Sequence, residues 1–208
     1  MNSTYFITGI GTDVGKTIVS AILTEALEAD YWKPIQAGEL NNSDSHTVES
    51  LVSNNTTKFH KSAFNLETPM SPHAAAQLDS VSIDKNKIKR PSTKNTIVIE
   101  GAGGLLVPLN DSETVLDLIK PKDNVVVVSR HYLGSINHTL LTIELLKQRK
   151  INVFGIIFNG EENKTTEEII EKMTGIRILG RIDNEPYFDK NVILEYAERI
   201  KNELTKKR

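Results

Sequence analysis

The sequence predicts an α/β fold: a doubly wound, mostly parallel sheet with helices on both faces. Three observations predict it. Short β-branched runs alternate with longer stretches of helical period, one of those runs is apolar on both faces, and a glycine-rich turn joins the first run to the first helical stretch. A chain of 208 residues is long enough for one substantial core, and one domain is expected.

The strand candidates are Tyr5 to Thr8, Thr96 to Ile99, Val125 to Val128, Val153 to Phe158 and Ile176 to Ile182, spaced as parallel crossovers require. The run Val125 to Val128 is apolar throughout instead of alternating, as a central strand covered above and below should be. Helices are expected at about Gly15 to Glu28, Ile136 to Lys150, Thr165 to Lys172 and Val192 to Thr205. In the second of these, Ile136, Leu140, Leu141, Ile143, Leu145 and Leu146 recur mostly at spacings of three and four, which suits packing on a sheet. The charge-rich stretches Asp84 to Lys94 and Lys201 to Arg208 read as solvated surface.

Composition removes several function classes. A net charge of −2 gives no field for holding nucleic acid or an anionic membrane surface, so neither partner is expected. There is no cysteine, hence no disulfide, thiolate zinc site or cysteine nucleophile, and the lack fits a reducing compartment. The N-terminus runs into a strand without the apolar stretch of a signal peptide, and nothing approaches the roughly 18 uninterrupted apolar residues of a membrane span. A cytoplasmic protein is expected. The five histidines, His46, His60, His73, His131 and His138, lack metal-site spacing and read as surface or loop residues.

The strongest motif is Gly9-Ile-Gly-Thr-Asp-Val-Gly-Lys-Thr17, which follows a strand, opens a helix and ends in Gly-Lys-Thr. These are the contexts a P-loop requires: Gly15 lets the backbone approach phosphates, N–H groups and the helix N-terminus face the anion, and Lys16 adds charge for the β- and γ-phosphates. Thr17 is placed to put its hydroxyl on Mg²⁺. Five residues separate Gly9 from Gly15, where the general pattern allows four, so the strict motif is not met. The fold expected is accordingly that of the P-loop NTPases.

A magnesium nucleotide needs hard oxygen ligands beside this loop. The segment Thr96-Ile-Val-Ile-Glu100 has the form of an apolar strand delivering one carboxylate at its end, and Gly101 to Gly104 after it leaves room for a phosphate. Asp44, in the polar loop Asn41 to Ser45, is a second candidate, although an Asp in such a loop is ordinarily a turn or capping residue. Lys33 follows the strand-like Tyr31-Trp32 and would lie at a strand end near the same crevice, where a second cation could neutralise charge during phosphoryl transfer.

Together these segments resemble the dethiobiotin synthetase family. Its TGTDTxVGKT, YKPxxxG and VEGAGG are matched by Thr8 to Thr17, by Tyr31-Trp-Lys-Pro-Ile-Gln-Ala-Gly38 and by Ile99 to Gly104, and Ser71-Pro-His73, Leu133 to His138 and Phe158-Asn159 extend the match over nearly the whole chain. The resemblance implies ring closure of 7,8-diaminononanoate with CO2 and ATP, with Mg²⁺, to dethiobiotin, ADP and phosphate. It implies that Lys16 and Lys33 stabilise the transferring phosphoryl group and the carbamate, and that Thr17, Asp44 and Glu100 hold Mg²⁺. ATP would also meet Asp13, Val14, Gly15, Ile18, Gly101, Ala102 and Gly103, with Asn159 reading adenine. Thr12, Lys33 and Ala37 would face the substrate, whose carboxylate would be held by Leu133, Gly134, Ser135, Ile136 and Asn137 from the other subunit of a homodimer.

The sequence departs from the family pattern in places. Asp13 stands for a usual Glu, Ala37 for a hydroxyl residue, Ile10-Gly11 for Thr-Asp, and Ile182-Asp-Asn-Glu-Pro186 for the usual I-P segment beside adenine. The rival class is a P-loop ATPase switch of partition or septum-site type, but such proteins carry a second lysine early in the loop and Gly9 to Val14 contains none. Amidoligases of cobyrinate type have longer chains with a glutaminase domain, and a GTPase would show NKxD where Phe158-Asn-Gly-Glu161 stands.

Overall fold

In the computed structural model, residues 3–205 are described. The first strand, β1 (Thr4–Gly9), sends Tyr5 and Ile7 into one apolar layer and Phe6 into the other, so it can only lie inside the sheet. Its parallel neighbours are β6 (Ile97–Gly104) and β7 (Asn124–Arg130). In β7, Val126 and Val128 join the first layer and Val125 and Val127 the second, all four fully buried. Burying each is worth about 1.5–3 kcal/mol, which holds this strand at the centre as its unbroken apolar run predicts.

The remaining strands are β2 (Asp30–Trp32), β4 (Phe59–His60), β8 (Val153–Asn159) and β9 (Ile178–Ile182), in the order β4-β2-β6-β1-β7-β8-β9 with every pair parallel. One face is covered by α1 (Lys16–Leu27), α2 (Asp44–Leu51) and α6 (Lys190–Thr205), the other by α3 (Pro72–Leu78), α4 (Ser135–Gln148) and α5 (Lys164–Thr174). This is the doubly wound, parallel α/β fold that the sequence predicts. From β1 the chain moves outward to β2 and β4, returns to β6, then continues on the opposite side through β7, β8 and β9. The strand order thus reverses beside β1, and a crevice opens at the carboxyl ends of β1, β6 and β2.

The long elements start and stop within a few residues of expectation, but the segment between α1 and β6 holds more structure than the sequence suggests. A second parallel pair, β3 (Ile35–Ala37) with β5 (Phe64–Leu66), and the helix α3 lie there. Asp44 is not in a loop: it opens α2, and Ser43 is the cap, its hydroxyl accepting from the His46 N–H at 3.3 Å. The stretch from Asp84 is not simply solvated, because Arg90 is pinned to Asp123 at 2.7 Å and to the Leu118 carbonyl at 2.7 Å. Within the second charge-rich stretch, Lys206 to Arg208 lie outside the described residues.

Of the histidines expected on the surface or in loops, His60 is instead on β4 and pairs with buried Asp30 at 3.0 Å; His131 is in the loop after β7, where it stacks on Phe158 and meets Glu167 at 3.0 Å. Among the described residues no helix is long and apolar enough to cross a membrane.

Candidate active site

The loop between β1 and α1 is shaped from three sides. The Ile10 N–H donates to the Val128 carbonyl at 3.1 Å, the Arg130 guanidinium donates to the Asp13 carbonyl at 3.1 Å, and the Asn159 amide donates to the Val14 carbonyl at 2.9 Å. These contacts hold a loop one residue longer than the strict motif. Gly15 takes φ +98°, and a Cβ there would lie 2.4 Å from Asn159 Nδ2, so glycine is required by conformation and by space. Lys16 is buried and curls back so that its ammonium donates to the Gly11 carbonyl at 3.1 Å. Burial pushes its pKa down, and the Glu100 carboxylate partly offsets this.

Next to the loop, β2, α2 and β6 bring four side chains together. Thr17 Oγ1 is 3.0 Å from both Asp44 Oδ1 and Glu100 Oε1; the Lys33 ammonium donates to Glu100 Oε1 at 3.0 Å and also to Asp44 Oδ2. Lys33 is 5% exposed and Glu100 1%, so this is a buried charge cluster. Burial acts to lower the pKa of Lys33, but the Glu100 and Asp44 carboxylates outweigh it and hold the ammonium above its usual value. Burial acts to raise Asp44, and Lys33 outweighs that in turn, leaving its carboxyl below the usual range. Tyr31 completes the group by donating its hydroxyl to Glu100 Oε2 at 2.8 Å.

Glu100 does not end its strand, as the sequence suggests; β6 runs on to Gly104. The register with β1 passes from Ile7↔Glu100 to Gly9↔Gly104, so residues 101–103 bulge. The glycines explain why the bulge forms there. A Cβ on Gly101 would press on Phe6 and the Ile7 carbonyl at 3.1 and 3.2 Å, and Gly103 takes φ +64°. The bulge bends β6 away just after it has delivered the carboxylate.

Three hard oxygens, from Thr17, Asp44 and Glu100, converge as a magnesium nucleotide would need. Among the described residues no cluster of three or more His, Asp or Glu side chains could hold a cation unaided. Two carboxylates and a hydroxyl leave coordination positions that the phosphate oxygens of a nucleotide would fill.

A cleft of about 690 Å³ gathers Thr12, Asp13, Gly15, Lys16, Thr17, Lys33, Ala37, Asp44, Glu100, Ala102 and Gly103, a size that suits a small-molecule site. Val14, Ile18, Gly101 and Asn159 do not line it; Val14 and Asn159 brace the loop from behind, and Gly101 is packed under the bulge. Gln36, which no motif marks in the sequence, accepts from the Asp44 N–H at 3.3 Å through its amide oxygen and donates to the Gly38 carbonyl at 3.0 Å. Glu39 and Pro69 to Pro72 on the cleft wall, and Arg130 on the loop, are likewise unmarked as site residues. The polar residue inside the quoted Tyr31 to Gly38 segment was the one available signal for Gln36.

Leu133 to Asn137 line a separate depression at the start of α4. Leu133 is fully exposed, Ser135 is buried, and the Ser135 N–H is taken by the Tyr132 carbonyl at 3.0 Å. Within one chain this segment is not part of the cleft.

A family described as an AAA domain matches residues 3–192. The ATP-dependent dethiobiotin synthetase BioD of Christiangramia forsetii is 60% identical over 204 residues, which cover 98% of this chain and 99% of that protein. This chain belongs to the dethiobiotin synthetase family. The namesake from Cytophaga hutchinsonii is 51% identical over 94% of this chain and 96% of its own length, and that from Chlamydia pneumoniae 44% over 94% and 88%.

Solved structures extend the likeness in fold alone. The septum site-determining protein MinD of Pyrococcus horikoshii, solved with Mg-ADP, superposes with a TM-score of 0.66 at 14% identity, over 99% of this chain and 97% of its own. A ParA family ATPase from Chlorobium tepidum gives 0.58 at 12%, over 95% and 98%. Against the dethiobiotin synthetase pattern, the Asp183 to Pro186 departure is an ordered feature here. Tyr196 donates to Glu185 at 2.6 Å and accepts from the Asp183 N–H at 3.1 Å, and its phenol is pushed up to about 12 by burial and by Glu185.

Proposed function

We propose that this chain is an ATP-dependent dethiobiotin synthetase, a cytoplasmic ligase working as one catalytic domain in biotin synthesis. The observation that carries the reading is the Lys33 ammonium seated between Asp44 and Glu100 within reach of Thr17, beside the phosphate loop. That arrangement offers positive charge and hard oxygens at one spot and no protein nucleophile, which suits a reaction needing only positioning and charge stabilisation.

One amine of 7,8-diaminononanoate adds to CO2, giving a carbamate. A carbamate oxygen then attacks the γ-phosphorus of ATP, and the bond to ADP breaks to leave a carbamic-phosphoric anhydride. The second amine attacks its carbonyl carbon; the carbon–oxygen bond to phosphate breaks and the ureido ring closes. Lys16 and the loop N–H groups hold the phosphates, and Lys33 meets charge shared between carbamate and transferring phosphoryl. Thr17, Asp44 and Glu100 would hold Mg²⁺, which when bound neutralises charge on the nucleotide. Thr12 and Ala37 line the diamine's side of the cleft, and Leu133 to Asn137 of a second copy would complete it at the carboxylate.

The assay supplies diaminononanoate, labelled bicarbonate and MgATP and looks for labelled dethiobiotin. The product is expected to form, and Lys16→Ala to lower kcat by about 100-fold or more, the cost of one lost charge donor at a developing charge. ATP hydrolysis indifferent to the diamine, with no labelled ring, would instead support a nucleotide switch.

A further inference from the structure

We propose that Tyr31 is a positioning residue for Glu100, holding that carboxylate so that only Oε1 is presented to the divalent cation. The proposal rests on the reading of Glu100 as a magnesium ligand. Strand β2 lies beside β6 with Tyr31 opposite Val98, so the tyrosine shares a sheet face with Glu100, two residues further along β6. Its side chain is fully buried, and its hydroxyl donates to Oε2 at 2.8 Å.

The two oxygens of Glu100 are thereby divided. Oε1 meets Thr17 and Lys33 on the cleft side, and Oε2 is occupied from beneath by the phenol. A carboxylate pinned in this way cannot rotate to offer both oxygens, so its contact with a cation is fixed to a single atom. Packing alone does not call for a hydroxyl here: a phenylalanine would fill the same space between β2 and its neighbour Phe59, whose ring centroid lies 6.2 Å away.

The test is the affinity of the wild-type and variant chains for Mn²⁺ in the presence of a non-hydrolysable ATP analogue, read by electron paramagnetic resonance. It needs no diamine, so it succeeds or fails apart from the ring-closing assay. Loss of a partner that orients a metal ligand typically weakens metal binding about 10- to 100-fold, and Tyr31→Phe is expected to do so while the analogue's metal-free affinity, measured in EDTA, stays unchanged. Phe59→Leu, which touches the ring and not the carboxylate, should lower Tm and leave Mn²⁺ affinity alone. A folded Tyr31→Phe with wild-type Mn²⁺ affinity overturns the proposal. Should that variant not fold, the wild-type chain answers instead: in the infrared difference spectrum on Mn²⁺ addition, the carboxylate bands that Glu100→Gln removes should show the wide splitting of a ligand bound through one oxygen, and the narrow splitting of a bidentate ligand refutes the proposal.

Discussion

The rim of the sheet carries two regions of opposite character. Around β2, β6 and the start of α1, polar groups are buried and answered: Lys33 by two carboxylates, Glu100 by three donors, Asp44 by Gln36 at its N–H. Along α4, apolar side chains face outward: Tyr132 and Leu133 are exposed just before it, and Leu141, exposed further along, shares a second depression with exposed Leu106. The charge cluster of the first region is satisfied within one chain. The second presents apolar surface of the kind that association covers, the surface that the proposed second copy would bury.

The largest effect separating the two regions is expected from Lys33→Met. It removes the cation from two carboxylates, one almost fully buried, and should cost about 3 kcal/mol of stability, seen as a lower Tm, along with a loss of about 100-fold or more in kcat. Leu141→Asp acts on the other region. It is expected to shift the chain toward monomer in size-exclusion chromatography and to raise KM for the diamine about tenfold, leaving the Kd for MgATP unchanged. A variant that stays monomeric with an unaltered KM would break the comparison.

A smaller effect concerns pH. Asp44, Asp30 and Glu25 each have folded pKa values below the ordinary carboxylate value: burial opposes this in all three, and Lys33, Thr93 with His60, and the Ser53 and Asn54 N–H groups respectively outweigh it. A depressed folded pKa gives stability that is present above the unfolded value and lost as pH falls through the folded one. Tm should therefore hold steady down to about pH 5 and decline below about pH 4. Asp44→Asn should make that acid slope shallower.

The long parallel strands, the helices between them and the glycine loop were legible in the sequence, because each leaves a local mark: a valine run, a helical period, Gly-Lys-Thr after a strand. Lys33 and Glu100 could be placed near the loop for the same reason, both lying in strand-like segments. What stayed hidden has no local mark. The pair β3 and β5 has three residues in each strand, too few for periodicity to register. The bond from Tyr31 to Glu100 spans 69 residues, and the wall from Pro69 to Pro72 reaches the cleft only because β5 and α3 fold back beside β3. Asp44 was singled out, but its place at the head of a helix depends on a serine cap whose signal was weaker than the polar run around it.

Asn159 reaches from the end of β8 to the Val14 carbonyl and closes the space behind Gly15. This strut lets the cradle for the phosphates take its shape as the chain folds instead of when a ligand docks. Little conformational entropy then remains to be lost on binding, so the rigidity that favours the anion is a property inherited from the sheet.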